Sequence, residues 1–378
     1  MRKTTLATLL FLLFACAKNA GAWAHNTPSG SSGSGQGTGL FIDPAGNYHL
    51  STIAYSTMTS MLRYYKHDLS SGGWSYTDLD YINAGKWRTS IVVDTSSRVH
   101  IAYYGTNGLK YALWDGISWS TQTIETSSTA ASADYFTSIR IGLSTHPHIS
   151  YYHPDTADLK YAEWTGLFWS TQTVASAGNV GTYNSLRLDT LGRAYISFYE
   201  ASANSLRLAN WSGSSWTITT VDTGGGDGNS LILDAQGRPS ISYLKSFAVM
   251  YAHWNGSSWA TETAYSTNGV RGTSLALDPQ GRPHIAYVND QDPGLTLNAY
   301  LFRNGLTWTN ALVLENWLRP TVTQALAFTP AGVPVMAWNE YHATAGSFIH
   351  VAYDSATAPG GLVAVSVTPS TATLTVGS

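Results

Sequence analysis

The chain has a single cysteine, Cys16, among 378 residues. No internal disulfide can form, so stability must come from packing and closure of the fold. Charge is also scarce: 11% of residues are Asp, Glu, Lys or Arg, and the net charge is −3. With no cluster of Lys or Arg, the sequence lacks the basic footprint that phosphate neutralisation requires, which excludes nucleic acid as a partner. The longest apolar run, Leu6 to Ala17, is about 12 residues, too short for a bilayer-spanning helix. No nucleophile elbow or metal-ligand spacing occurs, so neither a metal nor another cofactor is expected. What is abundant is apolar and aromatic: 43% hydrophobic and 12% Phe, Trp or Tyr, a composition suited to a sheet-rich extracellular protein.

Arg2 and Lys3 precede the apolar run, and Ala22-Trp23-Ala24 has the small-x-small form of a cleavage site. Residues 1–24 therefore read as a signal peptide, and the protein as secreted or held at the cell surface. Leu13-Phe14-Ala15-Cys16 resembles a bacterial lipobox, with Phe14 bulkier than usual at its position. Lipid attached at Cys16 would be the one link to a membrane; otherwise the cysteine is discarded with the signal. Residues 25–38 are rich in Gly and Ser and read as a flexible linker.

From residue 39 onward a unit of roughly 48 residues recurs seven times, a period typical of solenoids and propellers. Its clearest copy is TSLALDPQGRPHIAY over 273–287. Each copy holds an alternating strand, a Gly-containing turn, a second strand such as His284 to Tyr287, and two further strands such as Leu109 to Trp114 and Trp119 to Ile124. Four strands in each of seven units predict an all-β fold, a seven-bladed β-propeller of four-stranded antiparallel blades over 39–361.

Stacking the copies separates regular columns from irregular ones. The first strand ends at Asp43, Asp94, Gly142, Asp189, Asp234, Asp278 and Thr329, where a carboxylate can hold the turn by accepting backbone N–H groups. A second column is His49, His100, His148, Tyr195, Ser240, His284 and Val335. One such residue per blade cannot converge on an ion, so hydrogen bonding within each blade is expected. A Trp-x-Gly-x-x-Trp element recurs at Trp114/Trp119, Trp164/Trp169, Trp211/Trp216 and Trp254/Trp259, with Arg303 in place of the first Trp in the sixth copy. These large rings are expected to fill the outer gap between splayed blades.

The blades resemble those of secreted bacterial propellers of the NHL and related types, and the Trp element resembles that of propeller lectins. These families contain binding modules and enzymes, so the resemblance implies the fold more strongly than a function. At the C-terminus, VAVSVTPSTATLTVGS over 363–378 resembles the opening of bacterial group 2 immunoglobulin-like domains. Residues 362–378 are thus either the truncated start of such a domain or the missing outer strand of blade seven.

Function is sought where the copies disagree. The loop after the second strand carries Tyr104, Tyr152, His153, Asp155, Tyr199, Glu200, Asn289, Asp290, Asn339 and Glu340, which supply aromatic faces and polar partners for a glycan. Thr38, Thr89, Thr137, Asn184, Asn229, Thr273 and Gln324, at the start of the first strands, form a polar ring or bond neighbouring blades. Arg140 and Arg187 alternate with apolar residues on adjacent first strands and are placed toward the channel. They could hold a carboxylate or sulfate; neutralisation by a channel-facing acid is the favoured expectation. The leading functional expectation is a non-catalytic extracellular module binding a glycan or surface protein on this rim. The alternatives are a carbohydrate-active enzyme, hydrolase or lyase, with carboxylates on the same face, and a structural spacer of an adhesin. Oligomeric state is not legible.

Overall fold

The computed structural model describes residues 23–26, 34–55, 60–82, 88–128, 136–267, 269–292, 295–316, 320–342 and 346–354. These form seven four-stranded antiparallel sheets and, among the described residues, no helix. Each sheet is one blade of a β-propeller, and in six of the seven the strands run in sequence order from the central channel outward. The first strands face one another around the axis: Ser34–Ile42, Thr89–Val93, Thr137–Ile141, Val180–Leu188, Asp227–Leu233, Val270–Leu277 and Pro320–Phe328.

Blade seven is closed by a strand from the other end of the described chain. Its fourth strand is Trp23–Asn26, which pairs antiparallel with Gly346–Asp354 in the register Trp23↔Asp354 to Asn26↔Val351. Residues 362–378, and with them the immunoglobulin-like stretch, lie outside the described residues, as does Cys16. The end of the expected signal and the start of the expected linker therefore fall in a strand, and Ser34–Ile42 begins within the expected linker. Strands from the two ends of the described chain meet in one sheet, which couples opening of the ring to breaking a backbone ladder.

The regular columns build the packing between and within blades. The Asp at the end of a first strand accepts the backbone N–H four residues later: Asp94 Oδ1 from Arg98, Asp189 from Arg193, Asp234 from Arg238 and Asp278 from Arg282, each at 2.8 Å. The histidines point back into the same blade, where His49 Nδ1 and His100 Nδ1 meet the hydroxyls of Tyr64 and Tyr111 at 2.7 and 2.6 Å. His148 and His284 bond Tyr161 and Tyr300 in the same way. Where the histidine is replaced by Tyr195, the tyrosine opposite is replaced by Leu208. In blade three Gly142 stands in the Asp column, and His148 lies over it: a Cβ on Gly142 would be 2.4 Å from His148 Nε2.

Tyrosines of this column also carry the second Trp of the next blade. Trp119 lies 5.1 Å from Tyr64, Trp169 5.1 Å from Tyr111, Trp216 5.3 Å from Tyr161 and Trp308 5.4 Å from Tyr251, measured between ring centroids. The tryptophans are thus wedges between blades, with geometry in the range that stabilises aromatic pairs. Arg303 takes the first Trp position in blade six and lies 6.0 Å from the Tyr251 ring, 3.4 Å from Glu262.

Candidate functional site

Two polar rings tie the first strands together. Ser90, Ser138, Ser185, Ser230 and Ser274 each accept, through Oγ, the backbone N–H of a residue on the next blade, Ile139, Leu186, Leu231, Leu275 and Leu326, at 3.0–3.1 Å. One step nearer the mouth, Ser51, Ser150, Ser197 and Ser242 reach Thr89, Asn184, Asn229 and Thr273 of the following blade at 2.6–2.7 Å. Four of the seven residues expected in the polar ring at the mouth, Thr89, Asn184, Asn229 and Thr273, are therefore engaged in joining blades.

The next residue outward is a different matter. Counting back six positions from the residue that ends each first strand gives Gly37, Arg88, Phe136, Tyr183, Gly228, Gly272 and Thr323. Four of these positions are left-handed: φ is 73° at Gly37, 58° at Gly228, 51° at Gly272 and 53° at Tyr183. Glycine adopts that conformation freely, whereas a bulky side chain is strained there. Tyr183 holds it beside two neighbours. Its ring centroid is 4.3 Å from that of Phe136, and the Arg88 guanidinium lies 4.5 Å from the Phe136 centroid and 5.4 Å from that of Tyr183. Blades two, three and four thus raise a wall of one cation and two rings, facing glycines on blades one, five and six.

The wall continues outward to Tyr199, 6.5 Å from Tyr183, whose hydroxyl donates to Asn204 Oδ1 at 2.9 Å. Burial, and after it the charge of Asp227 immediately before Gly228, raises the pKa of the Tyr199 phenol. Burial in turn holds the Asp227 carboxyl above the usual carboxylate range, against one backbone hydrogen bond that lowers it. Raised carboxyl groups beside a cleft are characteristic of proton-transfer sites.

Beneath the wall lies a cavity of about 240 Å³ along the channel, reached by Arg88, Phe136, Tyr183, Arg140 and Arg187 and otherwise lined by the serine, threonine and asparagine rings with glycines and aliphatic residues. Arg140 and Arg187 do line the channel, as their alternation predicts. Each donates through Nη1 to the carbonyl of its preceding residue, Ile139 and Leu186. The acid expected to neutralise them is not there: among the described lining residues none is Asp or Glu. Burial alone pushes the Arg140 guanidinium down to about 10.

The residues expected on the rim are divided by burial. Tyr104, Tyr152 and His153 are buried, the Tyr104 hydroxyl donating to the Tyr152 carbonyl. Asn289 and Asn339 are buried too, and Asn339 Nδ2 donates to Thr52 Oγ1. These five are buried rather than presented as an open face. Asp155 is exposed but holds Ser127 and Ser128 of the preceding blade, while Glu200 pairs with Arg207 at 3.1 Å. Tyr199 alone joins the wall. The side chains of Asp290 and Glu340 lie outside the described residues. Other carboxylates near this face are engaged: Asp80, Glu125 and Asp222 each bridge a tyrosine and a lysine of the next blade, Tyr103/Lys110, Tyr151/Lys160 and Tyr243/Lys245.

The ring expected from the sequence lies one residue too deep and so misses Arg88, Phe136, Tyr183 and Asp227. The available signal was the disagreement of the copies at that position, with glycine in three and large side chains in three others.

No family model and no curated protein matches the sequence. Among solved structures, the chain is similar to the polysaccharide lyase PL25 ulvan lyase bound to -[GlcA(1-4)Rha3S]-, with a TM-score of 0.59 and 12% identity over 86% of this chain and 95% of that one. It is similar to polysaccharide lyase Uly1, TM-score 0.54, 9% identity, covering 87% and 92%. It is also similar to AofleA from Arthrobotrys oligospora, TM-score 0.52, 12% identity, covering 79% and 90%. At these identities the likeness establishes the propeller fold. Polysaccharide lyases among these propellers count against the leading expectation of a non-catalytic module, and its carbohydrate-active alternative is the reading carried forward as a proposal.

Proposed function

We propose that this protein is a carbohydrate-active enzyme of the lyase class, cleaving a uronate-containing polysaccharide over the mouth of the channel. The observation that carries the reading is the lopsided mouth: Arg88, Phe136 and Tyr183 on one side, glycines on the other, with Tyr183 in a strained backbone conformation. Ordinary glycoside hydrolysis uses a pair of carboxyl groups. The described cavity lining supplies none, and its titratable side chains are three arginines and Tyr183. That set suits elimination.

In this scheme the sugar stacks on the Phe136 and Tyr183 faces, and Arg88 pairs with the uronate carboxylate. Neutralising that charge acidifies the C–H bond next to it. The Tyr183 hydroxyl, as phenolate, takes the proton; the C–H electron pair forms the new C=C bond, and the bond to the departing glycosidic oxygen breaks with its electrons on oxygen. Asp227, whose hold on its proton is strengthened by burial, donates a proton to that oxygen. The polysaccharide lyases of similar fold support the class. An extracellular location, expected from the leader-like N-terminal sequence, suits a polymeric substrate.

The test is a panel of uronate-containing and neutral polysaccharides, followed both by ultraviolet absorbance of the new C=C bond and by release of reducing ends. Turnover of an acidic polymer with both signals is expected. Tyr183→Gly removes the proposed base and restores the residue type that the backbone favours, so it should abolish turnover while leaving the protein as stable or about 1 kcal/mol more so. Reducing ends without C=C absorbance, or unchanged turnover in Tyr183→Gly, would overturn the reading.

A further inference from the structure

Arg140 and Arg187 are the two channel-facing residues that neither the scaffold nor the scheme above uses. They occupy equivalent places on adjacent blades, two residues before the end of the first strand, where the other five blades carry Phe41, Val92, Ile232, Ala276 and Ala327. The two cations therefore sit together on one side of an otherwise apolar ring. Burying one guanidinium is unfavourable unless it is paired, and burying two side by side adds mutual repulsion. Among the described residues each has a single hydrogen bond, to a neutral carbonyl of its own strand. That bond engages only one of its five N–H donors. No described lining residue carries a negative charge, and desolvation acts on Arg140 without an opposing acid. Two forks, a cavity lined by serine and threonine hydroxyls, and no counter-charge are the components of an oxyanion site.

We infer that Arg140 and Arg187 jointly bind one oxyanion, a sulfate or carboxylate group, in the channel below the mouth. The anion satisfies the remaining donors and cancels the repulsion between the two blades, so its binding stabilises the ring. The same chemistry is offered by a free anion resident in the channel and by an acidic substituent of a glycan reaching in from the mouth. The site stands on its own geometry and does not depend on the elimination scheme, because Arg88 and Tyr183 belong to the wall above it.

Calorimetric titration of the full chain with inorganic sulfate at low ionic strength should show one saturable site. Arg140→Gln/Arg187→Gln should weaken binding at least 10-fold, and Arg140→Lys/Arg187→Lys, which keeps charge but loses the fork, should weaken it less. Titration with a monosaccharide sulfate ester separates the sources: tighter binding than inorganic sulfate marks a glycan subsite, and binding of inorganic sulfate alone marks a resident anion. Crystals of the unaltered protein soaked in selenate give a reading independent of whether the variants fold, through the anomalous signal of selenium between the two guanidiniums. Absence of saturable sulfate binding together with no selenate at this position would overturn the inference, as would sulfate binding that persists unchanged in the double Gln variant. Loss of turnover in Tyr183→Gly alongside either result would leave the lyase reading standing and this site refuted.

Discussion

Acidification should unfold this propeller well before its carboxylates are protonated, because the histidines of the second strands are buried in neutral form. Burial pushes His100 and His148 from 6.5 down to about 4, against the pull of Asp94 on His100 and aided by His146 for His148. Above pH 6.5 neither the folded nor the unfolded chain carries charge on these rings, so the histidines have no pH-dependent effect. Below 6.5 the unfolded chain binds protons and the folded one does not. Stability therefore falls from pH 6.5 until the folded rings titrate near pH 4. A drop from 6.5 to about 4 corresponds to about 3 kcal/mol for each ring at pH 4, or about 6 kcal/mol for the two. That is comparable with the whole stability of an ordinary domain, about 5–15 kcal/mol. His49 and His284, also lowered by burial, act in the same direction. Asp43, Asp94 and Asp278 have carboxyl groups held below 3.8, because hydrogen bonds outweigh burial. Their contribution is lost only as pH falls through those lowered values, so the loss of stability between 6.5 and 4 comes from the histidines, with Asp227, whose carboxyl is raised by burial, acting in the opposite direction. Urea midpoints followed by tryptophan fluorescence at pH 7, 6, 5 and 4.5 should fall steadily. In His100→Gln/His148→Gln, which cannot titrate, the slope should be reduced by up to about 2.7 kcal/mol per pH unit. An unchanged slope in the double variant would refute the reasoning.

Two further substitutions probe the ring that carries the site. Ser138→Ala removes the acceptor of the Leu186 N–H and leaves that buried donor unsatisfied; a loss of about 1–3 kcal/mol is expected in the same urea assay. Gly181→Ala places a Cβ 2.7 Å from Leu159 Cα at a φ of +97°, and a loss above about 2 kcal/mol is expected, read as a lower midpoint in thermal denaturation.

Architecture was legible because it is repetitive. Seven copies of a four-strand unit leave few solutions besides a closed ring, and the columns of Asp, His and Trp were assigned structural roles that the Asp turns, the His–Tyr pairs and the Trp wedges display. Closure by Trp23–Asn26 was not legible, since its four residues show no repeat pattern of their own and gain meaning only from pairing across about 330 residues of chain. The rim failed for a physical reason. Tyr104 and Tyr152 sit one residue after the aromatic column, and sequence alternation alone assigns them to a free face. In the structure both are buried, the Tyr104 hydroxyl donating to the Tyr152 carbonyl of the next blade. The placing of Arg140 and Arg187 toward the channel rests on their alternation with Ile139, Ile141, Leu186 and Leu188, which is local. Whether an acid opposes them depends on strands far away in sequence, which no local pattern reports.

The departures from sevenfold regularity are concentrated rather than scattered, and this connects scaffold to site. Blades three and four hold both channel arginines, Phe136 and the strained Tyr183, and blade two adds Arg88. Strain at one residue is destabilising by on the order of 1–3 kcal/mol, and two partly buried cations side by side are unfavourable as well. Random drift would not keep such terms together in adjacent units, because blades five and six show that glycine and small or apolar residues serve the ring at the same positions, with Gly228, Ile232, Gly272 and Ala276. The serine ring runs unbroken through the same blades, Ser90 to Leu186 by way of Ser138, so the first strands are held in place where the unfavourable residues sit. A site that concentrates strain and charge over continuous backbone ties is the arrangement expected when binding of an anionic ligand, rather than stability of the free protein, selects those residues.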